Sequence, residues 1–296
     1  MNILKELKKL KCGKVDTIKL KDYTTYKVGG TATLISPKDV NSLINVLKFL
    51  QENNIKYKIL GNGSNLIFNN SGYDGVVIRL DEFNALDVKG NTIKVEAGYS
   101  LMKLALKMCR LGYTGMEFAT GIPGTIGGAV YMNAGAYKSD MGYIVKSVKV
   151  LTPDYKIKTI LNKDLDFHYR TSFFQKNPGY ICLEATIVLR KGDKDVIMEI
   201  VDERKKRRLE TQPLEYPSAG SVFRNPEGDF AGRLIEEIGY KGKSIGGAQV
   251  SQKHANFIIN SGNATGEDIK KLIFEIQEKV KDAYNIELKV EQEFVE

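Results

Sequence analysis

The sequence predicts an α+β (α/β) fold divided into more than one domain, and three observations carry that prediction. Short apolar runs rich in β-branched residues alternate with segments whose apolar residues recur at helical spacing. At 296 residues the chain is longer than one hydrophobic core ordinarily organises. A proline-bearing stretch, TQPLEYPSAGS over residues 211–221, interrupts the regular pattern and reads as a boundary.

The elements follow in order. Residues 1–14 place Ile3, Leu4, Leu7 and Leu10 on one face of a surface helix, with lysines opposite. This segment has neither the apolar core of a secretory signal nor the Arg/Ser bias of a transit peptide, so the expected location is the cytoplasm. TATLIS reads as a strand, and Ser36-Pro37-Lys38-Asp39 reads as an N-cap, N1 proline and acidic N3 residue opening a helix with Val40, Leu43, Ile44, Leu47 and Leu50 inward. YKIL and VVIRL read as strands, and TIKVEAG as another. A helix begun by Ser100 buries Leu101, Leu104, Ala105 and Met108 and stops at Gly112. Strands are predicted at IVKSVKVL, YKIKTI and YICLEATIVLR, then a helix over about residues 194–210. Beyond the boundary come a helix around FAGRLIEEIG, a strand at NFIINSG, a long helix over 266–284 opened by Thr265, and IELKVEQEF, which alternates like a strand. The expected domains are 1–209, with subdomains 1–83 and 84–209, then 210–284, and a final strand at 285–296.

Composition excludes several classes. A hydrophobic share of 42% beside a charged share of 27% is that of a globular protein, and no apolar run approaches the length of a membrane span. The net charge of +8 suggests a nucleic-acid partner, but the cations are scattered among 36 acidic residues. The dense run from Glu203 to Arg208 lies within a helical pattern, so a solvated or substrate-facing surface is the better reading, and a polyanionic small molecule would profit equally. Cys12, Cys109 and Cys182 are widely spaced and read as buried or incidental thiols; with only His168 and His254 besides, no metal site is expected.

Two glycine loops carry the first chemistry. Gly121, Gly124, Gly127, Gly128 and Gly135 fall within fifteen nearly uncharged residues, where the backbone can approach a pyrophosphate closely. Gly61-Asn62-Gly63-Ser64-Asn65 follows a strand, but Leu66 stands where a Rossmann fingerprint needs its third glycine, which disfavours a conventional NAD fold. Gly242-Lys243-Ser244 imitates a phosphate-binding loop, yet Glu237 replaces its upstream glycine, so ATP hydrolysis is set aside.

KVGGTATLISPKD, LGNGSNLIF and GIPGTIGGAVYMNAGAY, in that order and at those intervals, resemble the FAD-binding domain of the vanillyl-alcohol oxidase / p-cresol methylhydroxylase type. Through YRTSFF, SAGSVFRNP, AGRLIEEIGYKGKSIGGAQVSQKHANFIIN and the last strand, the chain is similar over nearly its whole length to the UDP-N-acetylenolpyruvoylglucosamine reductase (MurB) family, in its short type II form. The resemblance implies a two-subdomain FAD-binding domain and a smaller α+β UDP-sugar domain. It implies non-covalent FAD, lined by Gly61, Asn62, Gly63, Ser64, Asn65 and Leu66 and by Gly121, Ile122, Pro123, Gly124, Gly127, Gly128 and Ala129. His168 is expected to be structural rather than a flavin tether.

The resemblance also implies that electrons pass from NADPH to UDP-N-acetylglucosamine enolpyruvate, giving UDP-N-acetylmuramate for peptidoglycan. Negative charge then builds beside the substrate carboxylate and must be stabilised and protonated. Arg170 matches the family's catalytic arginine, and its permanently charged fork of donors suits a carboxylate. Ser221 matches the proton donor. Glu291 aligns with a glutamate that works with the arginine, with Glu287 and Glu293 as competitors on the same strand face and Glu296 nearby; a carboxylate there is expected to pair tightly or to hold a raised pKa. The sequence departs from the family in having Lys289-Val290 before Glu291, and Glu293 where a basic residue is common. Asn225, Lys241 and His254 match positions around the uridine diphosphate. A monomer without nucleic-acid or membrane partners is expected. A flavin oxidase acting on a sugar or lactone, which would need neither Arg170 nor Ser221, and a colourless basic binding protein are the alternatives.

Overall fold

The computed structural model describes residues 2–296, a mixture of helices and strands in two compact units. Among the described residues the first unit comprises 2–15, 35–62 and 77–206, and the second comprises 16–34, 63–76 and 207–296. Strands Gly13–Lys19, Thr31–Pro37, Val76–Ile78 and Tyr57–Ile59 form one four-stranded sheet in that order.

The first unit is built on a five-stranded antiparallel sheet. Its strands run Ile157–Leu161, Val145–Leu151, Ile181–Val188, Thr92–Glu96 and Leu86–Lys89 across the sheet. Ile93, Val95, Val148, Val150, Ala185 and Ile187 are fully buried, as alternate residues of strands covering a core should be. Helix Leu101–Arg110 starts where Ser100 Oγ accepts from the Lys103 N–H and buries Leu101, Leu104, Ala105 and Met108; Gly112, at φ +74°, ends the turn that follows it. Helix Lys194–Thr211 lays Ile197 and Val201 against buried Cys109. All three cysteines are buried.

The first long helix begins later than the Ser-Pro signal suggests. It spans Val40–Glu52, and its cap is Asp39, whose Oδ1 accepts from the Ser42 N–H at 2.7 Å. Ser36 instead donates from Oγ to Asp81, and Pro37 closes a strand, where its missing N–H costs nothing at an end position.

The second unit packs helices Ala231–Glu237 and Gly266–Tyr284 with the strands Ser244–Ile245, Ala248–Val250 and Ile258–Asn260 around one apolar core. Thr265 and Asp268 form the reciprocal capping box of the long helix, and Asn285 in the left-handed region, at φ +57°, closes it. The last segment is strand-like only in part. Val290 makes a single antiparallel bridge with Phe223, and a ladder forms only over Glu293–Val295, parallel to Leu66–Phe68.

No helix among the described residues is long and apolar enough to cross a membrane. Gly242 turns the chain at φ +77° into a strand rather than a helix, so the Gly-Lys-Ser sequence lacks the architecture of a phosphate loop.

Candidate functional site

In the first unit, the two glycine loops meet at Gly61 and Thr125. A Cβ added to Gly61 would lie 2.8 Å from Thr125 Oγ1, so only glycine allows this approach. The same hydroxyl accepts from the Gly128 N–H at 3.3 Å and caps the short helix Ile126–Met132. The other early N–H groups of that helix are also engaged, Ile126 with the Tyr99 carbonyl and Gly127 with that of Ala97. The donors that remain are in the loops: the backbone N–H groups of Gly61, Asn62, Gly121 and Gly124 have no acceptor among the described residues. Gly124 is buried, yet a Cβ placed there would touch nothing within 4 Å. A buried donor beside open space calls for a partner from outside the chain. These loops therefore fit a dinucleotide pyrophosphate, while the N–H groups of Ile126, Gly127 and Gly128 at the helix start already have acceptors within the chain.

The other half of the first predicted loop belongs to the second unit. Gly63, at φ +60°, would drive a Cβ to 2.3 Å from the Tyr23 carbonyl oxygen, and its own carbonyl accepts from the Thr25 N–H. Asn65 Nδ2 donates to the Glu291 carbonyl at 3.1 Å, and the Glu293 N–H donates to the Asn65 carbonyl at 2.9 Å. Asn65 and Glu291, assigned by the sequence to different tasks, are thus neighbours.

Arg170, in the first unit, occupies the left-handed region at φ +55°, unusual for a long side chain. Its neighbours impose that conformation. His168 and Thr171 exchange backbone hydrogen bonds of 3.1 and 3.0 Å across a two-residue turn. Asn133, 1% exposed and itself at φ +43°, donates from Nδ2 to the His168 carbonyl at 2.9 Å. Ser172 Oγ donates to the Tyr131 carbonyl at 2.6 Å, and Gln175 Nε2 joins the Tyr131 and Arg170 carbonyls. The guanidinium donates from one Nη to the Gly135 carbonyl at 2.7 Å and lies 5.1 Å from the Tyr169 ring centre. The His168 ring is exposed and pairs with Asp166 on the surface.

Ser221 and Glu291, in the second unit, flank one antiparallel contact. The Glu291 N–H donates to the Val222 carbonyl at 2.8 Å and the Arg224 N–H to that of Lys289 at 2.9 Å. Asn256, 4% exposed, reads the Phe223 backbone from both sides, accepting its N–H at 2.9 Å and donating to its carbonyl at 2.8 Å. Two of the competing carboxylates are engaged on the surface: Glu287 is exposed and pairs with Lys281, and Glu296 pairs with Lys270.

Asn225, Lys241 and His254 converge on the short helix Ala231–Glu237. Asn225 Oδ1 accepts from the Ala231 N–H at 3.1 Å, and His254 Cε1 would be 3.5 Å from a Cβ on Gly232. His254 Nδ1 accepts from the Asn256 N–H at 3.2 Å, which places the proton of the neutral ring on Nε2. Burial holds its pKa below the ordinary value, nearby Lys241 adds to that and Glu236 opposes it. Lys241 Nζ is 2.7 Å from Glu236 Oε1, so its charge is shared with a carboxylate.

Sequence reasoning missed Asn133, Gln175, Asn256 and Thr125. Only two left a signal: Asn133 stands just past a helix before Ala134-Gly135, and Thr125 precedes one, the preferred places of an αL cap and an N-cap.

Two family models match the chain: a FAD binding domain over residues 31–160, and the UDP-N-acetylenolpyruvoylglucosamine reductase C-terminal domain over residues 212–295. A UDP-N-acetylenolpyruvoylglucosamine reductase of Anoxybacillus flavithermus is 44% identical, covering 94% of this chain and 92% of the relative. One from Halalkalibacterium halodurans is 42% identical, covering 99% and 98%. The crystal structure of UDP-N-acetylenolpyruvylglucosamine reductase (MurB) from Thermus caldophilus superposes with a TM-score of 0.85 at 36% identity, covering 96% of this chain and 99% of that one.

Proposed function

Because this chain belongs to the UDP-N-acetylenolpyruvoylglucosamine reductase family, we infer that it is the NADPH-dependent flavoenzyme that reduces UDP-N-acetylglucosamine enolpyruvate to UDP-N-acetylmuramate in peptidoglycan precursor synthesis. What carries the reading is that the likeness runs end to end, through both the flavin domain and the C-terminal domain.

When bound, FAD supplies the redox relay between NADPH and the substrate's double bond. Its holders on this reading are the open N–H groups of Gly61, Asn62, Gly121 and Gly124. Arg170 binds the substrate carboxylate and stabilises the charge that grows beside it, and its locked turn means that little reorganisation accompanies the reaction. Ser221 gives its hydroxyl proton to the carbon next to that carboxylate; a serine suffices because the carbanionic carbon is a far stronger base than water. Glu291 helps to stabilise the same developing charge, a role favoured over Glu287 and Glu296 by their surface pairing. Asn225, Lys241 and His254 hold the uridine diphosphate, with Lys241 supplying charge to the phosphates. The enzyme works in the cytoplasm as a monomer, with small molecules as its partners.

Anaerobic half-reactions test the reading. NADPH should bleach the flavin absorbance of the purified protein, and the enolpyruvyl UDP-sugar should then restore it. Failure of the sugar to restore it, with a simple sugar or lactone bleaching the oxidised enzyme instead, would favour an oxidase.

A further inference from the structure

Between Tyr26 and the Ser221 loop lies a buried polar chain that the reading above does not use. Tyr26 is fully buried and Gln292 is 4% exposed. The Tyr26 hydroxyl donates to Gln292 Oε1 at 3.0 Å. At the other end of the amide, Gln292 Nε2 lies 3.1 Å from the Ala219 carbonyl oxygen, 3.5 Å from that of Gly220 and 3.4 Å from that of Ser221.

The direction of this chain is forced. Carbonyl oxygens only accept, so the amide nitrogen must face them, which leaves Oε1 needing a donor that the Tyr26 hydroxyl supplies. Burial raises the phenol well above its ordinary pKa, so the donor proton stays on across the working pH range. The Tyr26 carbonyl in turn accepts from Asn260 Nδ2 at 3.0 Å, which fixes the base of the chain.

The target of the amide is the one part of the loop that nothing else among the described residues clamps. Residues 222–224 are held by Asn256 and by the strand containing Lys289 and Glu291. Residues 219–221 precede that clamp and include Gly220, at φ +74° with nothing within 4 Å of its missing side chain, a natural pivot. Among the described residues, Gln292 is the only side chain donating to these three carbonyls, and it follows Glu291 directly in sequence.

We propose that Tyr26 and Gln292 are positioning residues for the reaction: Tyr26 orients the Gln292 amide, which clamps the Ala219–Ser221 backbone and so aims the Ser221 hydroxyl. The proposal rests on the reading of Ser221 as proton donor, and a double-mutant cycle separates the two. Tyr26→Phe removes only the orienting hydroxyl, while Gln292→Leu removes the clamp with similar volume. Each should leave flavin reduction by NADPH within about two-fold of wild type and slow reoxidation by the enolpyruvyl UDP-sugar about ten-fold or more, the effect of losing one well-made hydrogen bond. In the Ser221→Ala background the same substitutions should have almost no further effect on reoxidation, because the group they aim is gone. In the apo-protein, Tyr26→Phe should speed amide hydrogen exchange of residues 219–221 relative to those of 222–224.

Equal slowing of both half-reactions, or a full ten-fold penalty persisting in Ser221→Ala, would overturn the positioning role while leaving Ser221 as donor. Normal reoxidation in Ser221→Ala alone would instead overturn the donor assignment and this inference with it. Should Gln292→Leu fail to fold, Tyr26→Phe decides alone.

Discussion

Gly61 faces the Thr125 hydroxyl so closely that a methyl on it would come within 2.8 Å of Oγ1. Since that hydroxyl also caps Gly128, Gly61→Ala should push it off the cap and close the space that the loop donors face. We expect FAD affinity to fall at least about ten-fold and apo-protein stability by about 1 kcal/mol, the usual worth of such a cap. Thr125→Ala should reproduce the stability loss with a smaller loss of affinity. Flavin fluorescence titration and urea unfolding measure both, and a native FAD affinity in Gly61→Ala would remove these loops from the cofactor site.

On the proposed function, Arg170 combines a charge that acts on substrate with an uncomfortable backbone, so activity and stability should part company there. Arg170→Gly should keep its unfolding free energy within about 1 kcal/mol of wild type, because glycine relieves the left-handed strain. It should nonetheless slow reoxidation by substrate about 100-fold or more. Arg170→Lys should rescue little of this, since a lysine offers no planar fork. Stopped-flow absorbance and chemical denaturation on the same samples make the comparison; a fast Arg170→Lys would argue against bidentate carboxylate binding.

Lys241 is shared between Glu236 and, on our reading, a diphosphate. Lys241→Ala should therefore weaken UDP-sugar binding about ten-fold, as loss of a charge-assisted contact would. Glu236→Gln should tighten binding by a few-fold by releasing the ammonium. Isothermal titration with UDP alone reads out both, and weaker binding in Glu236→Gln would mean that the carboxylate positions Lys241 rather than competes for it.

His254 has a folded-state pKa below the ordinary 6.5 because it is buried and lies near Lys241. Below that pH the unfolded chain takes up a proton that the folded chain resists. Its contribution to stability is thus complete above about pH 6.5 and is lost as the pH falls toward the folded value. Urea midpoints between pH 5 and 8 should decline on the acid side, with a slope shallower by up to about one proton in His254→Gln. Identical slopes in the two proteins would show that this ring does not resist protonation.

Much of this was legible one residue at a time. Ser100 and Thr265 cap the helices they announce, because an N-cap acts over three residues and needs no knowledge of the fold. Asp39 does not stand out as the cap because Ser36-Pro37 offers an equally good local signal, and only the distant Asp81 decides what Ser36 bonds. The catalytic candidates stand in family motifs, whereas the residues that bond to their backbone do not stand out in the sequence. Asn133 reaches His168 across 35 positions, Asn256 reaches Phe223 across 33, and Tyr26 reaches Gln292 across 266. No local pattern encodes such pairs.

The parallel pairing of Glu293–Val295 with Leu66–Phe68 has a temporal side. Asn65 and its partner at Glu291 are separated by 226 positions, so a ribosome adding roughly 5 to 20 residues per second exposes the earlier strand on the order of ten seconds or more before its neighbour exists. During that interval Leu66, Ile67 and Phe68 present an apolar edge open to illicit pairing. Nascent chains halted before residue 293 should therefore be the species that chaperones hold.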